Sequence, residues 1–111
     1  MKSILLLLIA LSLGSETQPK EQIKFCSLRG SVFIATEKAQ ADFIVYEEES
    51  EAFADFLVYE EENRLYATEE GVWFFVKNRG IADFSIYLTK SKGEADFVFA
   101  YTSSSTFAGC N

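Results

Sequence analysis

Seven residues of this chain recur, and the interval at which they recur limits what it can fold into. Ala41-Asp42-Phe43-Ile44-Val45-Tyr46-Glu47 is followed thirteen positions later by Ala54-Asp55-Phe56-Leu57-Val58-Tyr59-Glu60. Two more copies are Ala82-Asp83-Phe84-Ser85-Ile86-Tyr87-Leu88 and Ala95-Asp96-Phe97-Val98-Phe99-Ala100-Tyr101. Degenerate copies begin at Arg29 and Glu70, each thirteen residues before a full one. The six segments start at 29, 42, 55, 70, 83 and 96, with spacings of 13, 13, 15, 13 and 13. One column reads Val32, Val45, Val58, Trp73, Ile86, Phe99, and the next reads Phe33, Tyr46, Tyr59, Phe74, Tyr87, Ala100. A fixed period with apolar columns marks a repeat architecture, and this period is short for the usual helical repeats.

The repeats read as strands. Each is five or six residues of Phe, Val, Ile and Tyr, the types that suit a pleated surface. Each is followed by a polar stretch such as Glu47-Glu48-Glu49-Ser50-Glu51 or Lys77-Asn78-Arg79-Gly80. Side chains alternate faces along a strand, and in the first two full copies both faces are apolar, so the strands should be covered at least in part on both sides. About seven residues remain for each return, fewer than the dozen or more that a parallel crossover usually takes. Pattern alone therefore favours an antiparallel meander, or a chain that winds about itself with little connection to spare.

Before the repeats, Met1-Lys2-Ser3 leads into an apolar run from Ile4 to Leu13, closed by Gly14 and Ser15. A short basic start, an apolar core and small residues describe a secretory signal peptide, and the run is too short to span a bilayer, which takes ~20 residues. The expected organisation is a signal peptide over 1–15, a flexible polar leader over 16–23 that holds Pro19, and one small domain over 24–111. The expected location is secreted or periplasmic, with no stable membrane insertion once the signal is removed. The cleaved chain keeps nine basic against seventeen acidic residues, a net charge of −8. That balance disfavours nucleic acid and anionic membranes. Eleven phenylalanines, five tyrosines and one tryptophan, each burying ~150–250 Å² when packed, make a core attainable in so short a chain.

The recurrent Ala-Asp-Phe-x-Val-Tyr segments, the central Val72-Trp73-Phe74-Phe75-Val76, the early Phe25-Cys26 and the closing Phe107-Ala108-Gly109-Cys110 together resemble the septoil knot domain. The resemblance covers about residues 24–110. It implies an all-β domain of short strands whose chain winds repeatedly about itself and is tied in a seven-crossing torus knot, against the general rarity of knots. It implies a fold and no activity.

The chemistry available is narrow. The chain has no histidine, which removes Ser-His-Asp and Cys-His sites together with the commonest metal ligand. The glycines are isolated, so no phosphate-cradling loop is present, and two cysteines 84 positions apart are no zinc pattern. No catalytic residue, cofactor or metal is expected; a monomeric, non-enzymatic domain is. Asp42, Asp55, Asp83 and Asp96 each precede a strand. They are expected to accept backbone N–H groups in their turns; the sharper reading, a row of calcium-binding or glycosidase carboxylates, gains nothing from Ala and Phe neighbours. The runs Glu47-Glu48-Glu49 and Glu60-Glu61-Glu62 are expected as solvated loops; because they recur one repeat apart, the alternative is that they lie side by side as one acidic patch for a cation or a basic protein. Trp73-Phe74-Phe75 invites a glycan-stacking reading, yet its register with Val45 and Val58 places it in the core. A binding module using the acidic patch or exposed aromatics for a protein, cation or glycan is the alternative to a purely structural role. Cys26 and Cys110 bracket the array. In an oxidising compartment they are expected to pair internally, the other outcomes being two buried thiols or an intermolecular bond through Cys110. Given the resemblance, an internal bond would turn an open knot into a closed one.

Overall fold

A computed structural model describes residues 25–111; the expected signal peptide and leader lie outside the described residues. The elements alternate strictly. Strands β1 (Gly30–Ile34), β2 (Phe43–Glu47), β3 (Phe56–Glu60), β4 (Val72–Val76), β5 (Phe84–Leu88), β6 (Phe97–Tyr101) and the short β7 (Gly109–Cys110) are separated by six 3₁₀ turns. These turns are η1 (Lys38–Gln40), η2 (Glu51–Phe53), η3 (Arg64–Tyr66), η4 (Arg79–Ile81), η5 (Lys92–Glu94) and η6 (Ser105–Phe107). An alanine follows every turn: Ala41, Ala54, Ala67, Ala82, Ala95 and Ala108.

The sheet order is β4-β1-β5-β2-β6-β3-β7, and β3 also pairs with β4, so β1 to β6 close into a barrel. All six pairings within it are parallel; only β3 with β7 is antiparallel. The antiparallel meander is thus excluded and the winding alternative is the observed one. The returns are short, seven to eleven residues, and the register explains how they suffice. Every pairing is displaced by two residues, as in Gly30 opposite Trp73, Val32 opposite Phe84, Phe43 opposite Ile86 and Phe56 opposite Phe99. With a rise of ~3.3 Å per residue and strands ~4.8 Å apart, that displacement tilts the strands by roughly 54° from the barrel axis. A five-residue strand then climbs only about 10 Å along the axis. Eight extended residues reach about 26 Å, enough to descend and cross one neighbour without a helix.

The same displacement stacks the repeat into layers. Equivalent positions of all six strands fall at one height. Val32, Ile86, Val45, Phe99, Val58 and Trp73 form a middle ring in which every side chain is fully buried. Phe84, Phe43, Phe97 and Phe56 form the ring below, where Gly30 of β1 and Gly71, just ahead of β4, stand instead. The space beside those adjacent glycines is taken by Trp73, whose ring centroid lies 5.8 Å from Phe56 and 5.3 Å from Phe84, and whose indole N–H donates to the Leu28 carbonyl at 3.2 Å. Phe25 closes the lower end, stacked on Phe97 at 4.8 Å. Filled layers of this kind leave a small barrel with a packed interior rather than a pore. The outward faces of the strands are covered in part by the returning turns, and Leu57, Ala54 and Ala100 form a second apolar cluster there.

Connectivity follows from the order. β7 enters between the starts of β3 and β4: Leu57 pairs with Gly109, and Gly109 backs directly onto Gly71. On a ring of seven places every connection skips one place in the same direction, β1 to β2 over β5, β2 to β3 over β6, and so on. Six such steps take the chain almost twice around. The Cys26–Cys110 disulfide, with Cα atoms 5.2 Å apart, joins β7 back to the entrance of β1 and completes the second circuit. The six parallel strands and the descending β7 thus carry the chain twice around the barrel axis.

Candidate functional site

The four repeated aspartates hold the two circuits together. Asp42 Oδ2 accepts the Ser85 N–H at 2.9 Å while the Asp42 N–H donates to the Ser85 carbonyl at 2.9 Å. Asp55 and Val98 make the same reciprocal pair at 3.0 and 2.8 Å, Asp83 and Ser31 at 2.8 and 2.8 Å, and Asp96 and Ile44 at 2.7 and 2.6 Å. Each aspartate therefore bonds a strand 43 or 52 residues away, on the other circuit, and not its own turn as expected from sequence. The carboxylate takes the place of a ladder carbonyl just ahead of the strand, where the chain is still entering the sheet. In the seventh place Gly109 stands where an aspartate would, and pairs directly with Leu57.

Asp42 and Asp83 share a shallow depression of about 320 Å³ with Arg79, Phe84 and Ser85. Part of its polar lining is bonded internally. The Ser85 hydroxyl donates to the Gln40 carbonyl at 3.0 Å and accepts the Asp42 N–H at 3.1 Å, and each carboxylate has one oxygen committed to a backbone N–H. Among the described residues no group of three or more acidic or cysteine side chains is gathered as a metal would need.

The two glutamate runs do not lie side by side. β6 separates β2 from β3, and Tyr101 stands between Glu47 and Glu60. Burial first, then the charges of Glu47 and Glu60, push the Tyr101 phenol up to about 12. These three residues belong to the top layer of the barrel, which continues through Phe75, Ile34 and Leu88, so one half of the upper mouth is acidic and the other apolar. Glu48 is paired with Lys92 at 3.2 Å, and Glu61 accepts the Glu62 and Asn63 N–H groups at the start of η3. Trp73 is fully buried, with Phe74 and Phe75 half-buried, so this triplet offers no flat stacking surface.

The sequence reading passed over one column. The last residue of each 3₁₀ turn, just before the alanine, is Gln40, Phe53, Tyr66, Ile81, Glu94 or Phe107. Phe53, Tyr66, Ile81 and Phe107 are exposed, as is Leu65 beside Tyr66. The available signal was a large apolar residue just before the alanine of each of these repeats, outside any strand and so outside the core pattern.

The model of the 7(1) septoil knot domain matches this chain over residues 25–111. No curated protein matches it, and no solved structure does.

Proposed function

The chain belongs to the septoil knot domain family, and we propose that it works as an exported, non-enzymatic scaffold whose role is to persist where unfolded chains are destroyed. The observation that carries this reading is the Cys26–Cys110 bond, which closes the second circuit. A chain closed in this way cannot be untied by fraying from its ends, and opening must proceed inside the ring. Disulfides of small domains form and last in oxidising compartments, in keeping with the basic and apolar start of the sequence. Aspartates committed to backbone N–H groups, in a chain with no histidine, support a scaffold over a catalyst.

Proteolysis tests it. The oxidised domain should outlast the Cys26→Ser/Cys110→Ser variant under thermolysin or pepsin by more than their difference in equilibrium stability accounts for, since cleavage then tracks the opening rate. Half-lives that follow equilibrium stability alone, or a protein found inside cells with two alkylatable thiols, would refute the proposal.

A further inference from the structure

The exposed turn residues are scattered in sequence, and the turns that carry them follow one another around the barrel. η4 packs on β1, η1 on β5, η5 on β2, η2 on β6 and η6 on β3, while Arg64 of η3 reaches the Ile81 carbonyl of η4 at 3.4 Å. Around the barrel the turns therefore run η3, η4, η1, η5, η2, η6. Their last residues read Tyr66, Ile81, Gln40, Glu94, Phe53, Phe107 in that order. The four apolar ones are consecutive, from Phe53 through Phe107 and Tyr66 to Ile81, and the two polar ones fill the remaining third.

This arc is unusually open. Leu65, Phe53, Tyr66 and Phe107 are 79%, 69%, 66% and 63% exposed, and large apolar side chains grouped at such exposure mark a contact surface. The charge is divided along the same line. The four connections that carry the arc, residues 48–55, 61–71, 77–83 and 102–108, hold nine acidic residues against three basic ones. The other two, 35–42 and 89–96, hold four against three. Both ion pairs among the described residues, Lys38–Glu94 and Lys92–Glu48, use lysines of those two connections. The apolar side is thus also the side with uncompensated negative charge.

We propose that this arc docks a basic amphipathic segment of another protein, with its apolar face against Phe53, Phe107 and Tyr66 and its cationic flanks among the surrounding carboxylates. The inference goes beyond the scaffold role and does not depend on it. Complementary charge selects this occupant over the rivals. A second copy would bring two such acidic halves together, and an anionic membrane would be repelled.

Calorimetric titration of the oxidised domain with a synthetic helix of leucines on one face and lysines on the other tests this, with glutamates replacing the lysines as comparison. The lysine peptide should bind, more weakly as salt rises. Phe53→Ser/Phe107→Ser should weaken binding roughly tenfold or more, as loss of central aromatic anchors does, whereas Gln40→Ser on the polar side should not. All these side chains are exposed, and circular dichroism should show the fold retained. Equal binding by the double variant, equal binding of the glutamate peptide, no binding of the lysine peptide, or a wild-type dimer abolished by Phe53→Ser would each overturn the proposal.

Discussion

Replacing the aspartates one at a time should grade the lacing of the two circuits by burial. Asp55→Ala removes the acceptor of the Val98 N–H, and Val98 is 9% exposed. Asp42→Ala and Asp83→Ala do the same to Ser85 and Ser31, each 2% exposed. A buried donor left without a partner costs about 1–3 kcal/mol, with the upper part of that range suited to a charged acceptor. Asp96→Ala strands the N–H of the half-buried Ile44 instead. Water can reach that group, so its loss should stay below about 1 kcal/mol. In a domain of this size 1 kcal/mol shifts the melting temperature by about 4–8 °C, which separates the two classes in a thermal melt followed by circular dichroism. Asp→Asn at the same sites keeps an acceptor oxygen without its charge and should fall between wild type and alanine. The reasoning fails if Asp96→Ala costs as much as Asp83→Ala, or if all four alanine variants lie within about 0.5 kcal/mol of wild type.

The glycines, the phenol and the disulfide give three further tests. A methyl group at Gly30, where φ is +99°, would fall on the Asp83 carboxylate, so Gly30→Ala should cost less in an Asp83→Ala background than alone, a coupling read from a double-mutant cycle. At Gly71, φ +79°, the obstacle is the backbone of Ala108, Gly109 and Leu57, and no second side-chain change should rescue Gly71→Ala in a solubility and melting assay. Tyr101 ionises near 12 when folded and near 10 when unfolded, so its stabilisation is complete below pH 10 and is lost as pH rises toward 12. Ultraviolet titration against Tyr101→Phe should show the late phenol, and Glu47→Gln or Glu60→Gln should lower its midpoint without restoring 10, because burial is the larger cause. The bond between Cys26 and Cys110 spans 84 positions, for which the chain-entropy model gives up to about 4.5 kcal/mol. Since the denatured oxidised chain keeps its knot, it should refold at least roughly tenfold faster than Cys26→Ser, which must thread itself; equal rates in stopped-flow fluorescence would contradict the closed topology.

Much of the barrel was legible because period and register coincide. A thirteen-residue recurrence, broken once by fifteen, marks the strands, and the fully buried column from Val32 to Phe99 is visible as an apolar column. Neighbour relations were not. Except between β3 and β4, adjacency in the barrel of six joins residues 43 or 52 apart, which are other copies of the same motif. A repeat cannot tell which copy it pairs with, since all are chemically alike. For that reason the sequence points Asp42 to its own turn rather than to Ser85, and leaves open the meeting of two glutamate runs that β6 divides. The arc was hidden for the same cause: Phe53 and Phe107 lie on neighbouring turns, and nothing in the spacing between them distinguishes neighbour from stranger.

The one irregular interval shows where the ring is joined. Five connections take seven or eight residues, and the one from β3 to β4 takes eleven. It is also the only connection whose two strands pair directly, Tyr59 with Val72 and Glu60 with Trp73. At their other ends these strands part, and Phe56 and Leu57 pair instead with Cys110 and Gly109. The chain leaving β3 must therefore pass over a seventh place that is still empty when only the first circuit is made, and that β7 fills last. The added residues of the 61–71 connection, and Gly71 with no side chain against Gly109, keep that place open. The irregular interval thus coincides with the place that β7 occupies, and from there the Cys26–Cys110 bond closes the second circuit.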